Sequence, residues 1–125
     1  HDHPLARKTH LSWQAYFEQD YIGLDRVSGN RTLLDRELAH LTPARPSICE
    51  TRHVTTMLGM VEAGIGIAAV PAMSMPAGEH SVLRAVPLTD PVVTRTVGLI
   101  RLSGRIQSYV AAELEKLIIE QYPSG

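Results

Sequence analysis

Residues 54–71, reading V-T-T-M-L-G-M-V-E-A-G-I-G-I-A-A-V-P, constrain the fold of this chain more than any other segment. Val54, Met57, Leu58 and Val61 recur at i, i+3, i+4 and i+7, the single apolar stripe of a helix that covers something with one side. Gly64 stands where that helix must turn left-handed to stop, a conformation that strains any residue carrying a Cβ. Residues 65–70 then run apolar without polar alternation, as a parallel strand covered on both faces does. A helix feeding straight into a buried strand is half of a βαβ unit, so the fold class is α/β.

The remaining segments extend the same alternation. Residues 12–19 predict a short helix capped by Ser12, with Trp13, Tyr16 and Phe17 on one face. Residues 21–24 predict a strand, residues 25–30 a polar turn, and residues 31–40 a helix that aligns Leu34, Leu38 and Leu41. Pro43 and Pro46 break that helix, and residues 47–50 form the next strand. Residues 71–79 are turn-rich, with one helical turn around Met73, Ser74 and Met75 that Pro76 ends. A short strand at 82–86, a turn at Asp90-Pro91 and a long strand at 92–102 follow, the last with Val93, Arg95, Val97, Leu99 and Arg101 on one side. A final helix over 108–121 carries the stripe Val110, Leu114, Leu117 and Ile118. Helices alternating with short apolar strands imply a largely parallel central sheet. The last strand and helix follow a unit that already looks closed, so they are expected to pack against something outside it.

Bulk properties remove several function classes. The 125 residues, 44% of them hydrophobic, suffice for one ordinary core. Twelve basic against 13 acidic residues leave a net charge of -1, with no electrostatic footprint for DNA or an acidic membrane. The single Cys49 excludes an internal disulfide and a Cys-rich zinc site. No apolar run approaches the roughly 20 residues that span a bilayer, and the polar start has no signal-peptide pattern. A chain starting at His1 rather than Met is expected to be a fragment or a processed product.

Most candidate chemistry has a plainer explanation. Gly64-Ile65-Gly66 resembles the start of a dinucleotide fingerprint, but it follows a helix and precedes a strand, the reverse of a phosphate-cradling loop. Cys49 and His53 could make an activated nucleophile, yet Cys49 sits in a strand, where a free thiol acts as a small hydrophobe. His1, His3 and His10 match no metal-site spacing, and Asp35 and Glu37 point apart on their helix. Neither metal nor cofactor is expected.

Two helix starts stand out. The Ser28-Gly29-Asn30 turn and the Thr51-Arg52-His53 turn each follow a predicted strand and lead into a helix. Ligands in open α/β sheets bind outside the carboxyl ends of the strands, and the backbone N–H groups and dipole of a helix start favour an anion there. Arg26, Arg52, Ser28, Thr51 and Thr55 add donors, and the fork of an arginine can bond both oxygens of a carboxylate. Ordinary capping by Ser28 or Thr51 beside solvated arginines fits the same residues equally well.

At the level of the whole chain, a family resemblance emerges. Glu50, Val54, Leu58 and the run Val61-Glu62-Ala63-Gly64-Ile65-Gly66-Ile67 to Val70-Pro71 resemble the effector-binding domain of LysR-type transcriptional regulators. So do His3-Pro4-Leu5-Ala6, Tyr21-Ile22-Gly23-Leu24, Ser28-Gly29-Asn30-Arg31, and Val92 to Ile100 followed by a helix. The resemblance implies a three-layer lobe like that of type 2 periplasmic binding proteins, truncated at its N-terminus. Residues 5–90 would be the second lobe, and residues 91–125 a returning strand and C-terminal helix belonging to the first. It also implies a ligand-sensing module without catalysis, taking a small, carboxylate-bearing effector in an inter-lobe cleft. The matching positions are Asp25, Arg26, Ser28, Gly29, Asn30, Thr51, Arg52, His53, Thr55, Val70 and Pro71. Further implications are a cytoplasmic homo-oligomer, its contacts expected through the C-terminal strand and helix, and DNA binding only through a winged helix-turn-helix outside this sequence. A solute-binding protein of a transport system shares the two-lobed fold and is the alternative.

Overall fold

The computed structural model describes residues 3–76 and 82–122. Two compact units divide the chain, residues 1–93 and residues 94–125.

In the first unit, β2 (Tyr21–Leu24) lies between β3 (Cys49–Thr51) and β4 (Ile67–Ala68), all parallel. Ile22 pairs with Cys49 on one side and with Ala68 on the other. A second parallel pair joins β1 (Leu11–Ser12) to β5 (Leu88–Thr89). Helix α1 (Trp13–Phe17) leads into β2, α2 (Gly29–Glu37) connects β2 to β3, and α3 (Val54–Glu62) connects β3 to β4. From β2 the chain steps outward to β3 and then crosses back past β2 to β4. Right-handed crossovers that move in opposite directions place their helices on opposite faces of a sheet.

Side-chain packing follows that rule. Successive residues of a strand point to opposite faces. Tyr21 joins a cluster with Trp13, Tyr16 and Leu38, against which Leu34 and Leu41 pack. Ile22 and Leu24 join Met57, with Val54, Met60 and Val61 against them. Thus α1 and α2 cover one face and α3 the other, as the unbroken apolar reading of the central strands requires. Ile22 and Met57 are each 1% exposed. Burying such a side chain is worth about 1.5–3 kcal/mol, so these two anchor the α3 face.

Local signals in the sequence carry through to the helix ends. Ser12 accepts the Ala15 N–H and caps α1. At the end of α3 the Gly64 N–H bonds Val61 O and the Ile65 N–H bonds Met60 O, a Schellman closure with Gly64 at φ 76°. Gly66 serves a different purpose. A Cβ there would lie 2.5 Å from the backbone oxygen of Asp20, which itself accepts the Ile67 N–H that docks β4 on β2. The buried aromatic groups also find polar partners: Trp13 Nε1 donates to Pro91 O at 2.9 Å, and the Tyr21 hydroxyl to Arg45 O at 3.2 Å.

Several strands differ from expectation. The apolar run 65–70 contributes only Ile67–Ala68, because the Ile65 N–H closes the helix and the Ala69 N–H turns to the hydroxyl of Tyr16. Among the described residues of 82–86 there is no strand; the paired segment is Leu88–Thr89, entered where the Leu11 N–H bonds Pro87 O. Residues 92–102 form no strand either, since β-propensity needs a hydrogen-bonded neighbour and no described segment supplies one. Helix α2 starts two residues earlier than expected and ends at Glu37. His1 and residues 77–79 of the expected connection lie outside the described residues.

In the second unit, α4 (Tyr109–Gln121) begins at Ser108, whose hydroxyl accepts the Ala111 N–H. Glu115 accepts from Gln107 at 2.7 Å and pairs loosely with Arg101 at 3.8 Å. Val110, Leu114 and Leu117 of the apolar stripe are exposed, and Ile118 is half-buried.

Candidate functional site

Both α2 and α3 start at the carboxyl edge of the central sheet, and the backbone ties the two starts together. The Asp25 N–H donates to Thr51 O at 3.0 Å, carrying the β2–β3 ladder one step past the strands. Asp25 then folds its own turn: Oδ1 accepts the Val27 N–H at 3.3 Å, and its carbonyl accepts the Ser28 N–H at 2.9 Å. An aspartate that bonds the backbone two residues on is a standard turn former. Its other oxygen, Oδ2, faces Arg52, whose Nε and Nη2 both stand 3.4 Å away.

Neither helix start receives a side-chain cap. Ser28 and His53 occupy the capping positions of α2 and α3 without a side-chain hydrogen bond to the helix. Thr51 is not a cap; its hydroxyl accepts the His53 N–H at 3.5 Å. Helix starts lacking caps keep their positive dipole ends open to solvent or to an anion. The arginine fork of Arg52 stands at the same edge, loosely engaged by Asp25 Oδ2.

The expected site residues separate into two groups. Asp25, Ser28, Thr51, Arg52 and His53 are linked by the bonds above, with Gly29 and Asn30 in the first turn of α2. Thr55 is exposed in the first turn of α3, and Arg26 is exposed with no ion pair among the described residues. Val70 packs on the Ile22, Leu24 and Met57 cluster, and Pro71 precedes the 3-10 turn Ala72–Ser74. They follow β4, on the side of β2 away from β3. The Tyr16 hydroxyl holds the chain just before them through the Ala69 N–H at 3.1 Å, and burial pushes its phenol above the usual tyrosine range.

Sequence reasoning missed two residues at this edge, Arg31 and Glu50. Arg31 Nη1 donates to Leu24 O at 3.0 Å and to Glu50 Oε1 at 3.3 Å, while Nε donates to Asp35 at 2.8 Å. Its guanidinium is held further above the usual arginine value chiefly by the Asp35 hydrogen bond. The i, i+4 spacing of Arg31 and Asp35 was a legible helix pair. Nothing in the sequence couples Arg31 to Glu50.

Other candidates have local explanations. Cys49 packs on the Ile22, Leu24 and Met57 cluster as a small apolar group. His3 Nδ1 accepts the Leu5 N–H, and His10 bonds the Thr9 hydroxyl. Among the described residues no group of three His, Cys, Asp or Glu could hold a metal ion, and no helix is long and apolar enough to cross a membrane. Within the second unit, an open groove of about 370 Å³ is lined mainly by Leu99, Ile100, Ala111, Leu114 and Ile118. Its polar lining, Arg101, Gln107 and Glu115, pairs within itself.

Comparison with known proteins adds the family. Residues 1–123 match the family model described as LysR substrate binding domain. The chain is 40% identical over 118 residues to the uncharacterized HTH-type transcriptional regulator YbhD of Escherichia coli K12, covering 94% of this chain and 37% of that protein. It is 35% identical over 120 residues to the uncharacterized HTH-type transcriptional regulator YfeR of Shigella flexneri, covering 96% and 39%. A shorter match, 37% over 68 residues, is to the transcriptional activator protein LysR of Escherichia coli K12, covering 54% and 22%. The chain thus spans about two fifths of the length of the first two relatives. No solved structure is a significant match.

Proposed function

The chain belongs to the LysR substrate-binding domain family, and from that premise we propose that it senses a small, carboxylate-bearing effector for a cytoplasmic transcriptional regulator. The observation that carries this reading is the pair of uncapped helix starts, α2 and α3, joined by Asp25 and Thr51 and flanked by Arg52. An effector carboxylate meets the start of α2 at Gly29 and draws the Arg52 guanidinium from its loose 3.4 Å pair with Asp25; Ser28, Asn30, Thr55, Arg26, Val70 and Pro71 border it.

In this reading residues 5–90 are the second lobe, residues 91–125 belong to the first, and the effector lies in the cleft between lobes. Effector binding favours one lobe arrangement through its differential affinity for the two. In the whole regulator that shift alters the DNA-bound homo-oligomer, with contacts through the C-terminal segment. DNA itself is met by a helix-turn-helix of the kind named in the relatives. Those names favour regulation over solute transport and over catalysis.

Calorimetric titration with acetate, benzoate and citrate tests the site. A hydrogen bond to a charged group contributes about 1.5–3 kcal/mol, so Arg52→Ala should weaken a bound carboxylate by roughly tenfold or more. Ser28→Ala reports on the turn at the start of α2. Unchanged affinity in both variants would sink the assignment.

A further inference from the structure

We infer that Arg31 is the positioning residue of the effector site, fixing the start of α2 over the ends of β2 and β3 without touching the ligand; the inference rests on the site reading above. Leu24 is the last residue of the central strand, and its neighbour β4 ends at Ala68, which pairs only as far along β2 as Ile22. The carbonyl of Leu24 therefore lies beyond the reach of the β4 ladder, and Arg31 Nη1 accepts that role by donating to it at 3.0 Å. The same nitrogen reaches Glu50 of β3 at 3.3 Å, and Nε is clamped by both oxygens of Asp35, at 2.8 and 3.1 Å.

One planar group thus spans three elements: the strand that precedes α2, the strand that follows it, and α2 itself. The geometry needs a fork, because Asp35 and the Leu24 carbonyl are served by different nitrogens in fixed relation. Arg31 lies one residue after Asn30, so whatever holds Arg31 sets where the Ser28–Asn30 backbone stands relative to Thr51 and Arg52. The neighbouring pair Arg36 and Glu37 touches neither strand and is exposed on the helix surface, so it serves as an internal control.

Amide hydrogen exchange on the 125-residue chain tests the inference. Arg31→Gln should speed exchange of the Ser28 and Thr32 amides, which bond Asp25 O and Ser28 O, by about tenfold, since the first turn opens locally, while the amides of Ile22 and Met57 keep their wild-type protection. Arg31→Lys should fail to restore protection, because a single ammonium cannot serve Asp35, Leu24 and Glu50 together. Glu50→Gln should give a smaller acceleration at the same residues, and Arg36→Gln none. Wild-type exchange in Arg31→Gln, full protection in Arg31→Lys, or equal acceleration in Arg36→Gln would each overturn the positioning role. Calorimetry with citrate and benzoate adds a second arm: Arg31→Gln should weaken a bound carboxylate by at least about threefold at unchanged melting temperature. If the wild-type chain binds neither probe, the carboxylate reading of the site falls, and exchange alone decides Arg31.

Discussion

Gly66 and Asp20 approach so closely that a Cβ on Gly66 would sit 2.5 Å from the Asp20 carbonyl oxygen. That oxygen accepts the Ile67 N–H at 3.0 Å, the bond by which β4 docks on β2. Backbone atoms on both sides leave no flexible group to yield. Gly66→Ala should therefore destabilise the chain by about 1–3 kcal/mol, the usual cost of overpacking. Gly59, in the interior of α3 with open space around it, should do the opposite: Gly59→Ala should stabilise by about 0.5–1 kcal/mol. Urea denaturation of the two variants checks the contrast, and equal effects would refute it.

Tyr16 links stability to alkaline pH. Burial raises its phenol above the ordinary value near 10, with the Ala69 N–H partly opposing the shift. The unfolded chain therefore loses this proton at lower pH than the folded chain does. The stabilisation is complete below pH 10 and is lost progressively as pH rises above it. Tyr16→Phe should remove that alkaline component while costing about 1–3 kcal/mol at neutral pH, since the Ala69 N–H loses its acceptor. Melting temperature as a function of pH for both proteins provides the check.

Met57 should be the most sensitive position of α3. It is 1% exposed and touches the two residues, Ile22 and Leu24, that β2 sends to that face. Met57→Ala should cost about 2–5 kcal/mol through lost burial and the cavity left behind. Thr56→Ala, one residue earlier and exposed, should change stability by less than about 0.5 kcal/mol. Similar losses at both positions would contradict the packing of α3.

Arg52 should separate stability from binding. Its ion pair with Asp25 is 3.4 Å long, with side-chain exposures of 67% and 34%. Exposed pairs of this kind contribute about 0–1 kcal/mol. Arg52→Ala should accordingly leave the denaturation midpoint almost unchanged, so that any loss of carboxylate affinity reflects the site and not the fold. A large drop in stability would show that Arg52 is structural.

Helix ends and glycine positions were legible in the sequence because their hydrogen bonds are local. Ser12, Ser108 and Gly64 each act on amides or carbonyls within a few residues, so spacing alone located α1, α4 and the end of α3. The two helix starts after β2 and β3 were legible for the same reason, since a polar turn between a strand and a helix is a local pattern. Their joint position at one sheet edge followed only from the inference of parallel strands.

Strand extents and the wiring of the site belong to the tertiary structure. Residues 65–70 are apolar throughout, yet the Tyr16 hydroxyl, 53 positions earlier in sequence, takes the Ala69 N–H and ends β4. Residues 92–102 have the composition of a strand and no described partner to make them one. Asp25 meets Arg52 across 27 positions, and Arg31 meets Glu50 across 19. The amino-acid sequence by itself determined the α/β class, the helix boundaries to within a few residues, and the Val54-to-Gly64 helix with its glycine stop. The tertiary structure decided how long each strand runs, that Gly66 is needed for close approach, and that Arg31 braces the α2 start. The difference is physical: a helix satisfies its backbone within one segment, whereas a strand or a side-chain clamp depends on groups the chain brings near only by folding.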